Sequence, residues 1–468
     1  MRVSKLCFGV IVGNRDFFPD TLVEQGRKEI LKTLHELGYE TVCLDPSQTK
    51  LGAVETLSDA KKCANLLKDN SHRIDGLIVT LPNFSDEKAI SQAIRMSELK
   101  VPILVHAFPD DPERLDLSHR RDSFCGKISV CNNLRQFGIN FSLTTHHTEE
   151  VCSQSFRKDI EWFASVCRVV KSLRRVRIGA IGARPNAFNT VRFSEKLLEQ
   201  MNISVETIDL SEIMFKMDQI SDNNERISQK IQTMKEQYRV QIIPNDALIT
   251  MAKLSIAIEQ WFLENDLDAT AIQCWTIIEK KLHITPCTVM GMMSEKLKPS
   301  ACEVDVMGAL SMYILQNASN KPSALVDWNN NYAEDETILF HCGNFPPSVY
   351  ESVEIRYADV IGTTVGNQNT YGACTGKIKT GPFTFFRLST DDFNGTLKAY
   401  VGEGEISSTD PKTFGSRGIA KIKNLEKLMN YICLEGFEHH VAINLSQVAR
   451  SVKEALERYL NIKTYLHE

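Results

Sequence analysis

The chain has 468 residues, of which 43% are hydrophobic and 24% are charged, and its formal net charge is −5. This composition is ordinary for a globular protein. The slightly acidic balance argues against the concentrated basic surface that a general nucleic-acid or anionic-membrane binder needs. No apolar run reaches the length of a bilayer span. The length suggests about three domains.

Thirteen cysteines are scattered singly along the chain, most of them inside apolar stretches, and none forms a C-x-x-C pair. A thiol in such a stretch behaves as a small hydrophobic side chain. Free thiols are consistent with a reducing compartment, so we expect a cytoplasmic protein.

The first 172 residues alternate short apolar runs with helical periods. The runs have the length of strands, and they are LCFGVIVG (6–13), ETVCLD (40–45), GLIVTLP (76–82) and VPILVHAF (101–108). Strands that alternate with helices of this length predict βαβ units around a parallel sheet. Residues 149–173 have the periodicity of one long amphipathic helix, which would connect this domain to the next. We place the first domain at 1–172.

A second α/β series begins at VRIGAIGARP (176–185) and predicts a domain over 173–323. Further strands are expected at SVETIDL (204–210), ATAIQCW (269–275) and around TVMGM (288–292). The glycines of 176–185 follow a strand and precede a helix, as in phosphate-binding turns. They lack the full dinucleotide fingerprint, so a tight turn is the preferred interpretation.

Strand-like segments dominate the third predicted domain, 324–468. They are SALVDW (323–328), TILFHCG (337–343), PFTFFRLS (382–389) and LKAYVGEGEI (397–406). Asn394-Gly395, between the last two, predicts a hairpin. The predicted fold class is therefore α/β, with two Rossmann- or flavodoxin-like α/β domains followed by a β-rich, barrel-like C-terminal domain.

Two carboxylates lie beside apolar elements. Ser300 and Glu303 fit a capping box at the start of a helix that is apolar on nearly every side. The start of such a helix lies deep in the protein, where a carboxylate needs a partner. Asp327 follows the run SALV and is expected at the C-terminal end of a strand, facing a site. The alternative for Asp327 is an Asx-turn into Asn329–Asn331.

Histidines follow in two further segments. His341 ends the strand TILF, and its neighbour Cys342 should point to the opposite face of the sheet. His439 and His440 are adjacent and would also point to opposite faces if extended, so that one of them joins the site. A set of oxygen and nitrogen ligands without thiolate suits Mn²⁺ or a similar divalent ion better than structural zinc.

These segments resemble the L-fucose isomerase family, which is related to the L-arabinose isomerases. The resemblance is carried by ACEVDVMGALSMYIL, by Asp327, and by FHCGNFPP and GFEHHVAI. RDSFCGK (121–127) and GARPNAFNTVRFSE (182–195) are similar to the shorter, fucose isomerase-like branch. The similar segments occur in the same order along essentially the whole chain.

The resemblance implies an aldose–ketose isomerase that works through an enediol with Mn²⁺ or another divalent metal. Glu303, Asp327 and His440 match the family's metal ligands, and His341 matches a ligand of the arabinose isomerases. Glu303 and Asp327 are expected to be the acid/base pair, without a choice of which one abstracts the proton. Cys302 and Cys342 flank these residues and should point elsewhere. Substrate contacts are expected from four residues, namely Arg15, Gln273, Trp275 and Asn344.

The expected substrate is a pentose, a 6-deoxyhexose or a modified hexose. The alternatives are an isomerase for a sulfonated hexose such as sulfoquinovose, a non-catalytic sugar-binding protein, or a metal-dependent hydrolase. The resemblance also implies a homo-oligomer, a trimer or hexamer, in which the N-terminal domain completes a neighbour's site. Arg15 follows the first strand, where a parallel sheet presents ligand-facing groups. Its alternative is a loop arginine paired with Asp16 or Asp20.

Overall fold

The computed structural model describes residues 5–240 and 242–468. These residues fall into two compact units. The first unit is built from the chain up to Lys171 together with Glu454–Asn461, and the second comprises Ser172–Lys453 and Ile462–Glu468. The predicted boundaries at 172/173 and 323/324 stay predictions.

The first unit contains a five-stranded parallel sheet in the order β2-β1-β3-β4-β5. Its strands are β1 Cys7–Val12, β2 Glu40–Cys43, β3 Gly76–Leu81, β4 Ile103–Ala107 and β5 Ser142–Leu143. Its helices are α1 Asp20–Glu36, α2 Leu57–Asp69, α3 Glu87–Ser97, α4 Ser123–Gln136 and α5 Gln154–Ser172. The central strands β1, β3 and β4 are buried along their whole length, which explains why they are continuous apolar runs in the sequence.

The sheet of the first unit separates two hydrophobic cores. Cys7 and Ile11 of β1 pack with residues of α2, α3 and α4 on one face. Phe8 and Val10 pack with residues of α1 and α5 on the other. Because successive strand residues point to opposite faces, this arrangement is a doubly wound α/β layer, as predicted.

The second unit begins with a four-stranded parallel sheet in the order β7-β6-β8-β9. Its strands are β6 Val176–Ile181, β7 Ile203–Ile208, β8 Ala269–Ile272 and β9 Ser300–Cys302. Its helices are α6 Glu195–Glu199, α7 Leu210–Asp218, α8 Glu225–Gln237, α9 Asn245–Glu264, α10 Ile277–Leu282, α11 Cys287–Glu295 and α12 Val306–Ser319. The prediction of a strand around 288–292 was wrong, because these residues lie within α11. All but the last residue of that helix are buried, and a short helix buried all round has the apolar sequence of a buried strand.

A nine-stranded sheet forms the rest of the second unit, in the order β12-β13-β16-β11-β10-β17-β14-β15-β18. Its strands are β10 Ser323–Ala333, β11 Glu336–His341, β12 Tyr350–Tyr357, β13 Tyr371–Ile378, β14 Gly381–Asp391, β15 Thr396–Ile406, β16 Ser416–Lys421, β17 His440–Asn444 and β18 Lys463–His467. The accompanying helices are α13 Asp359–Val365, α14 Leu425–Leu434 and α15 Ala449–Glu454.

This sheet closes on itself. β16 pairs with β15 as well as with β11, so that β16, β11, β10, β17, β14 and β15 form a closed ring. The barrel-like prediction is therefore confirmed, and so is the hairpin between β14 and β15 at Asn394-Gly395. α12 packs against β8 of the parallel sheet and against β10, β14 and β17 of the ring, which explains why it is apolar on nearly every side.

In the described part of the chain, no helix combines the length and the apolar character needed to span a bilayer.

Candidate metal centre

Glu303 lies in the turn between β9 and α12, and it is not part of a capping box. Ser300 belongs to β9, where its hydroxyl accepts a hydrogen bond from Thr270. The helix is capped instead by Asp305, whose Oδ1 accepts from the N–H of Gly308 at 2.8 Å. Glu303 and Val304 between them have φ values of 58° and 55°, so the strand does not run straight into the helix. Ser300 and Asp305 are equally good capping residues by type, and the sequence alone favoured the wrong one.

Glu303 is 7% exposed as a residue, and only one of its two carboxylate oxygens accepts a hydrogen bond from the described residues. Its Oε1 accepts a hydrogen bond of 3.2 Å from the indole N–H of Trp275. Its Oε2 lies 2.9 Å from Nε2 of His440 but has no hydrogen-bond partner among the described residues. Burial raises the pKa of Glu303, but the imidazoles of His440 and His341 and the Trp275 N–H outweigh it and lower the pKa to about 2.

Asp327 lies in the middle of β10 and not at a strand end. Its cross-strand partner in β17 is His440, and Asn329–Asn331 continue the strand through irregular register, so the Asx-turn is not formed. The Oδ1 atom of Asp327 lies 3.4 Å from Nε2 of His440 and, within the described part of the chain, accepts no hydrogen bond. The antiparallel pairing, and not the end of a parallel strand, therefore directs this carboxylate into the site.

His440 is oriented by a carboxylate behind it. Its Nδ1 donates to Oδ2 of Asp305 at 2.8 Å, so Nε2 is the atom turned toward Glu303 and Asp327. Burial alone would lower the pKa of His440, but the neighbouring carboxylates of Asp305 and Glu303 raise it well above its ordinary value. A carboxylate that fixes the ring of a histidine in this way is typical of protein metal sites.

Asp305 is part of a buried ion network that the sequence analysis missed. Both of its oxygens accept from the guanidinium of Arg387, at 2.6 and 3.0 Å, and both residues are fully buried. The Nε atom of Arg387 donates to Glu438, which also accepts from the hydroxyl of Ser389. Burial opposes charge on Arg387, but Asp305 and Glu438 raise its pKa above the ordinary value. The sequence does contain one sign of this network, since Arg387 lies inside the apolar strand run PFTFFRLS. A charge buried in such a strand needs a charged partner.

His341 ends β11 and is 3% exposed. Its Nδ1 accepts from the backbone N–H of Cys342 at 2.8 Å, and its Nε2 lies 3.0 Å from Sγ of Cys302. The expectation that Cys302 points away from the site was therefore wrong, because the turn at Glu303 breaks the alternation of the strand. Asn344 donates to the same sulfur at 3.3 Å, and its Oδ1 has no hydrogen-bond partner among the described residues.

His439 lies on the same side as His440. The strand β17 begins only at His440, so the alternation expected for extended residues does not apply to the pair. The two ring centroids are 4.3 Å apart, and Nε2 of His439 lies 3.6 Å from Oδ1 of Asp327. The ring of Phe188, which the sequence analysis did not single out, contacts the rings of Trp275 and His439 edge-on at 5.2 and 5.5 Å.

The predicted substrate contacts divide between the two units. Trp275 and Asn344 lie at the carboxylate–histidine cluster, as described. Gln273 follows β8, and its Oε1 accepts from the N–H of Ala183 in the turn after β6. Arg15 belongs to the first unit, where its guanidinium donates to the carbonyl of Ser85, forms an ion pair with Glu87 and lies over the ring of Phe84. The alternative pairing of Arg15 with Asp16 or Asp20 is not formed; Asp20 pairs with Lys50.

The residues of this cluster fit a divalent cation. Ligand atoms of Glu303, His341 and His440 all lie within 4.8 Å of one another, and so do those of Asp327, His439 and His440. Two carboxylate oxygens without hydrogen-bond partners face one imidazole nitrogen, an arrangement that a cation would stabilise. Oxygen and nitrogen donors of this kind suit Mn²⁺ and similar ions.

Two family models match the chain, and together they span more than half of it. Residues 9–174 match the N-terminal domain of fucose/sulfoquinovose isomerases, and residues 339–467 match the C-terminal domain of L-fucose isomerases. A sulfoquinovose isomerase from Alkalicoccus urumqiensis is 25% identical over 83% of this chain and 85% of its own length. A second, from Priestia aryabhattai, is 24% identical over 85% and 86%. Among solved structures, a periplasmic solute-binding protein from Actinobacillus succinogenes with bound D-allose aligns with 68% of this chain and 93% of its own length, at 8% identity and a TM-score of 0.17.

Proposed function

We propose that this chain, which belongs to the family of fucose and sulfoquinovose isomerases, is a sugar isomerase that interconverts a sulfonated aldohexose, such as sulfoquinovose, and the corresponding ketose. Two relatives aligned over more than four-fifths of both chains are sulfoquinovose isomerases. They support the sulfonated substrate over the pentose or 6-deoxyhexose that we first expected.

The observation that carries the proposal is the convergence of two carboxylate oxygens on one imidazole. Oε2 of Glu303 and Oδ1 of Asp327 lie 2.9 and 3.4 Å from Nε2 of His440. On this proposal Glu303, Asp327 and His440 hold a divalent metal, for which we favour Mn²⁺. A bound metal supplies Lewis-acid polarisation of the sugar carbonyl and of the neighbouring hydroxyl. His341 could join them only by releasing the backbone N–H of Cys342.

The side chains of the cluster account for the proton transfer between C2 and C1 that the reaction requires. One carboxylate takes a proton from C2 of the open-chain aldose, which gives the enediolate, and a proton is returned to C1 by the carboxyl group so formed or by the other one in its protonated form. The hydroxyl proton passes from O2 to O1 in the same conversion, so that the ketose is neutral. The side chain of Asp327 is 23% exposed and that of Glu303 is 10% exposed. Asp327 is therefore the more accessible of the two to a sugar. Trp275 restricts Glu303 through the hydrogen bond to Oε1, and the ring of Phe188 covers Trp275 and His439.

We also propose that the protein acts as a homo-oligomer, a trimer or hexamer, in which Arg15 of one copy serves the site of another. Arg15 lies in the first unit and the carboxylates lie in the second. A sulfonate is a permanent anion, and a guanidinium is the side chain best suited to hold it through directed hydrogen bonds.

The test is a substrate and metal screen on the purified chain. Protein stripped with a chelator is incubated with sulfoquinovose, L-fucose and L-arabinose, with and without added Mn²⁺, and ketose is followed by NMR. We expect ketose from sulfoquinovose only when metal is present, and no ketose from the Glu303→Gln variant. Glu426→Gln, an exposed carboxylate in α14, is the matched control and should keep full activity. Ketose from a neutral sugar but not from sulfoquinovose would overturn the substrate, and binding of sulfoquinovose without ketose would overturn the enzyme.

A further inference from the structure

Two buried thiols lie beside Glu303, and neither has a role in the proposed reaction. A sulfur of Cys274, a sulfur of Cys302 and a carboxylate oxygen of Glu303 all lie within 4.8 Å of one another. Cys274 follows β8 and Cys302 ends β9, and these strands are neighbours in the parallel sheet. All three side chains are buried, and neither cysteine forms a disulfide.

A nitrogen donor lies next to the same sulfur. Nε2 of His341 is 3.0 Å from Sγ of Cys302. His341 is not part of the group that Cys274, Cys302 and Glu303 form, so the donor set is two sulfurs and one carboxylate oxygen. A mixed set of sulfur and oxygen donors of this kind suits Zn²⁺ and chemically similar ions. Among the groups of three possible ligands found within the described residues, this is the one that contains sulfur.

We propose that Cys274, Cys302 and Glu303 form a second metal site that is selective for thiophilic divalent cations such as Zn²⁺ and Cd²⁺. The binding of such an ion displaces the two thiol protons to solvent, and the sulfurs bind it as thiolates. Soft thiolate ligands favour these ions over Mn²⁺, which prefers oxygen. The site therefore discriminates between metals by ligand type.

The two metal sites share Glu303, so they exclude one another. A cation held by the thiols draws Glu303 away from His440 and Asp327, and this part of the inference rests on the proposed function of that cluster. Thiophilic cations should therefore inhibit the isomerase by competing with Mn²⁺, and they should do so without contacting the sugar.

Other buried cysteines lack this arrangement and provide the control. Cys374 is fully buried, and its sulfur lies 3.5 Å from the hydroxyl of Thr288. It does not belong to any of the ligand groups found in the described residues. Cys374→Ser therefore removes a buried thiol of the same unit without touching the proposed site.

The experiment titrates Cd²⁺ into the reduced, metal-free full chain and follows the ultraviolet thiolate-to-cadmium charge-transfer band. We expect one Cd²⁺ per chain and a band that excess Mn²⁺ suppresses. Cys274→Ser and Cys302→Ser should each weaken Cd²⁺ binding by about 100-fold, because even the loss of a supporting contact costs metal sites 10–100-fold. Cys374→Ser should leave the band unchanged. Far-ultraviolet circular dichroism confirms the fold of each variant, and Cys274→Ala replaces any serine variant that does not fold.

A band of full strength in both Cys274→Ser and Cys274→Ala would overturn the site. Binding of Cd²⁺ and Mn²⁺ to the same chain without mutual competition would overturn the shared use of Glu303. The titration contains no sugar, so a chain that binds Cd²⁺ as expected but converts no sugar would contradict the proposed function and leave the thiol site standing.

Discussion

Oδ2 of Asp305 lies 2.8 Å from Nδ1 of His440, although the two residues are 135 positions apart in the chain. The other oxygen of the same carboxylate caps α12 through the N–H of Gly308, and both oxygens contact Arg387. One buried carboxylate thus fixes the start of a helix and the orientation of a ring in the barrel. The direction of Nε2 of His440 is consequently set by the way α12 packs against β17.

The first prediction concerns this contact. Asp305→Asn keeps a good capping side chain but removes the charge that holds Nδ1 of His440. We expect Mn²⁺ affinity to fall 10–100-fold, or about 1.4–2.7 kcal/mol, as for other partners of metal-binding histidines. Isothermal titration with Mn²⁺ measures this directly. Asp86→Asn is the matched control, because Asp86 caps α3 without contacting a histidine. An unchanged Mn²⁺ affinity in Asp305→Asn would contradict a positioning role.

The second prediction tests whether the two carboxylates of the cluster serve the reaction or only the fold. Glu303→Gln and Asp327→Asn should each lower turnover by about 10²–10⁴-fold, the range that acid/base groups contribute. Asp327→Asn should lower stability little, because Oδ1 of Asp327 accepts no hydrogen bond from the described residues. Glu303→Gln should lower it more, because it removes the charge that the imidazoles of His440 and His341 stabilise. Urea unfolding and turnover are measured on the same preparations. A variant that loses stability but keeps most of its turnover would show that the carboxylate serves the fold.

Sequence patterns predicted the layers of the fold because burial leaves a direct mark on composition. The strands β1, β3 and β4 are continuous apolar runs because both of their faces are covered. The same apolar composition led to the wrong prediction of a strand at 288–292, where a short helix that is buried all round has the composition of a strand. At these positions the composition indicates that the residues are buried, but the segment is too short for its periodicity to distinguish a strand from a helix.

Sequence patterns predicted several members of the cluster but not how they are held. Asp327 and His440 face one another through antiparallel register, which depends on the pairing of β10 with β17 and not on either segment alone. Arg387 meets Asp305 from 82 positions away, and the charge in its apolar strand was the only local sign of a buried partner. The choice of Ser300 as the helix cap was wrong, because Asp305, five residues later, is also a good N-cap residue and is the one that caps α12.

The third prediction concerns Glu279, which is fully buried in α10 and has neither oxygen hydrogen-bonded within the described residues. Burial raises its pKa from 4.5 to about 7. Below about pH 4.5 the group is protonated in both the folded and the unfolded chain. Between about pH 4.5 and 7 the unfolded chain ionises first, so stability falls as pH rises, by about 3 kcal/mol in total. Above about pH 7 both states are ionised and this contribution is constant.

Urea unfolding of the wild type and of Glu279→Gln across this range isolates the effect. The free energy of unfolding of the wild type, relative to the variant, should decrease by about 3 kcal/mol between about pH 4.5 and 7.5. Glu426→Gln, at an exposed position, should run parallel to the wild type. Parallel curves for Glu279→Gln would mean that a water or a shift of the chain solvates the carboxylate.

The last prediction concerns Arg15 and the sulfonate. The side chain of Arg15 is 20% exposed. Its guanidinium is held by the carbonyl of Ser85, the carboxylate of Glu87 and the ring of Phe84, so its direction is fixed before a ligand arrives. Arg15→Ala should raise KM for sulfoquinovose about 30-fold, equivalent to about 2 kcal/mol for a lost charge-assisted contact. Mn²⁺ content and oligomer size should not change. Arg27→Ala is the control, because Arg27 also donates to a backbone carbonyl of the first unit, that of Leu44.

Mixed oligomers test whether Arg15 serves a neighbouring copy. Arg15→Ala changes the first unit and Glu303→Gln changes the second, and each variant should be impaired when it is refolded alone. If a site combines the first unit of one copy with the second unit of another, unfolding and refolding the two variants together creates some sites with both residues intact. Activity should then exceed that of either variant refolded alone, and a mixture of Arg27→Ala with Glu303→Gln calibrates the gain expected from an intact first unit. The shared site would be refuted if activity rose in the mixture of Arg27→Ala with Glu303→Gln but not in the mixture of Arg15→Ala with Glu303→Gln. A fully active monomer would refute it as well, because Arg15 would then act within its own chain or not at all.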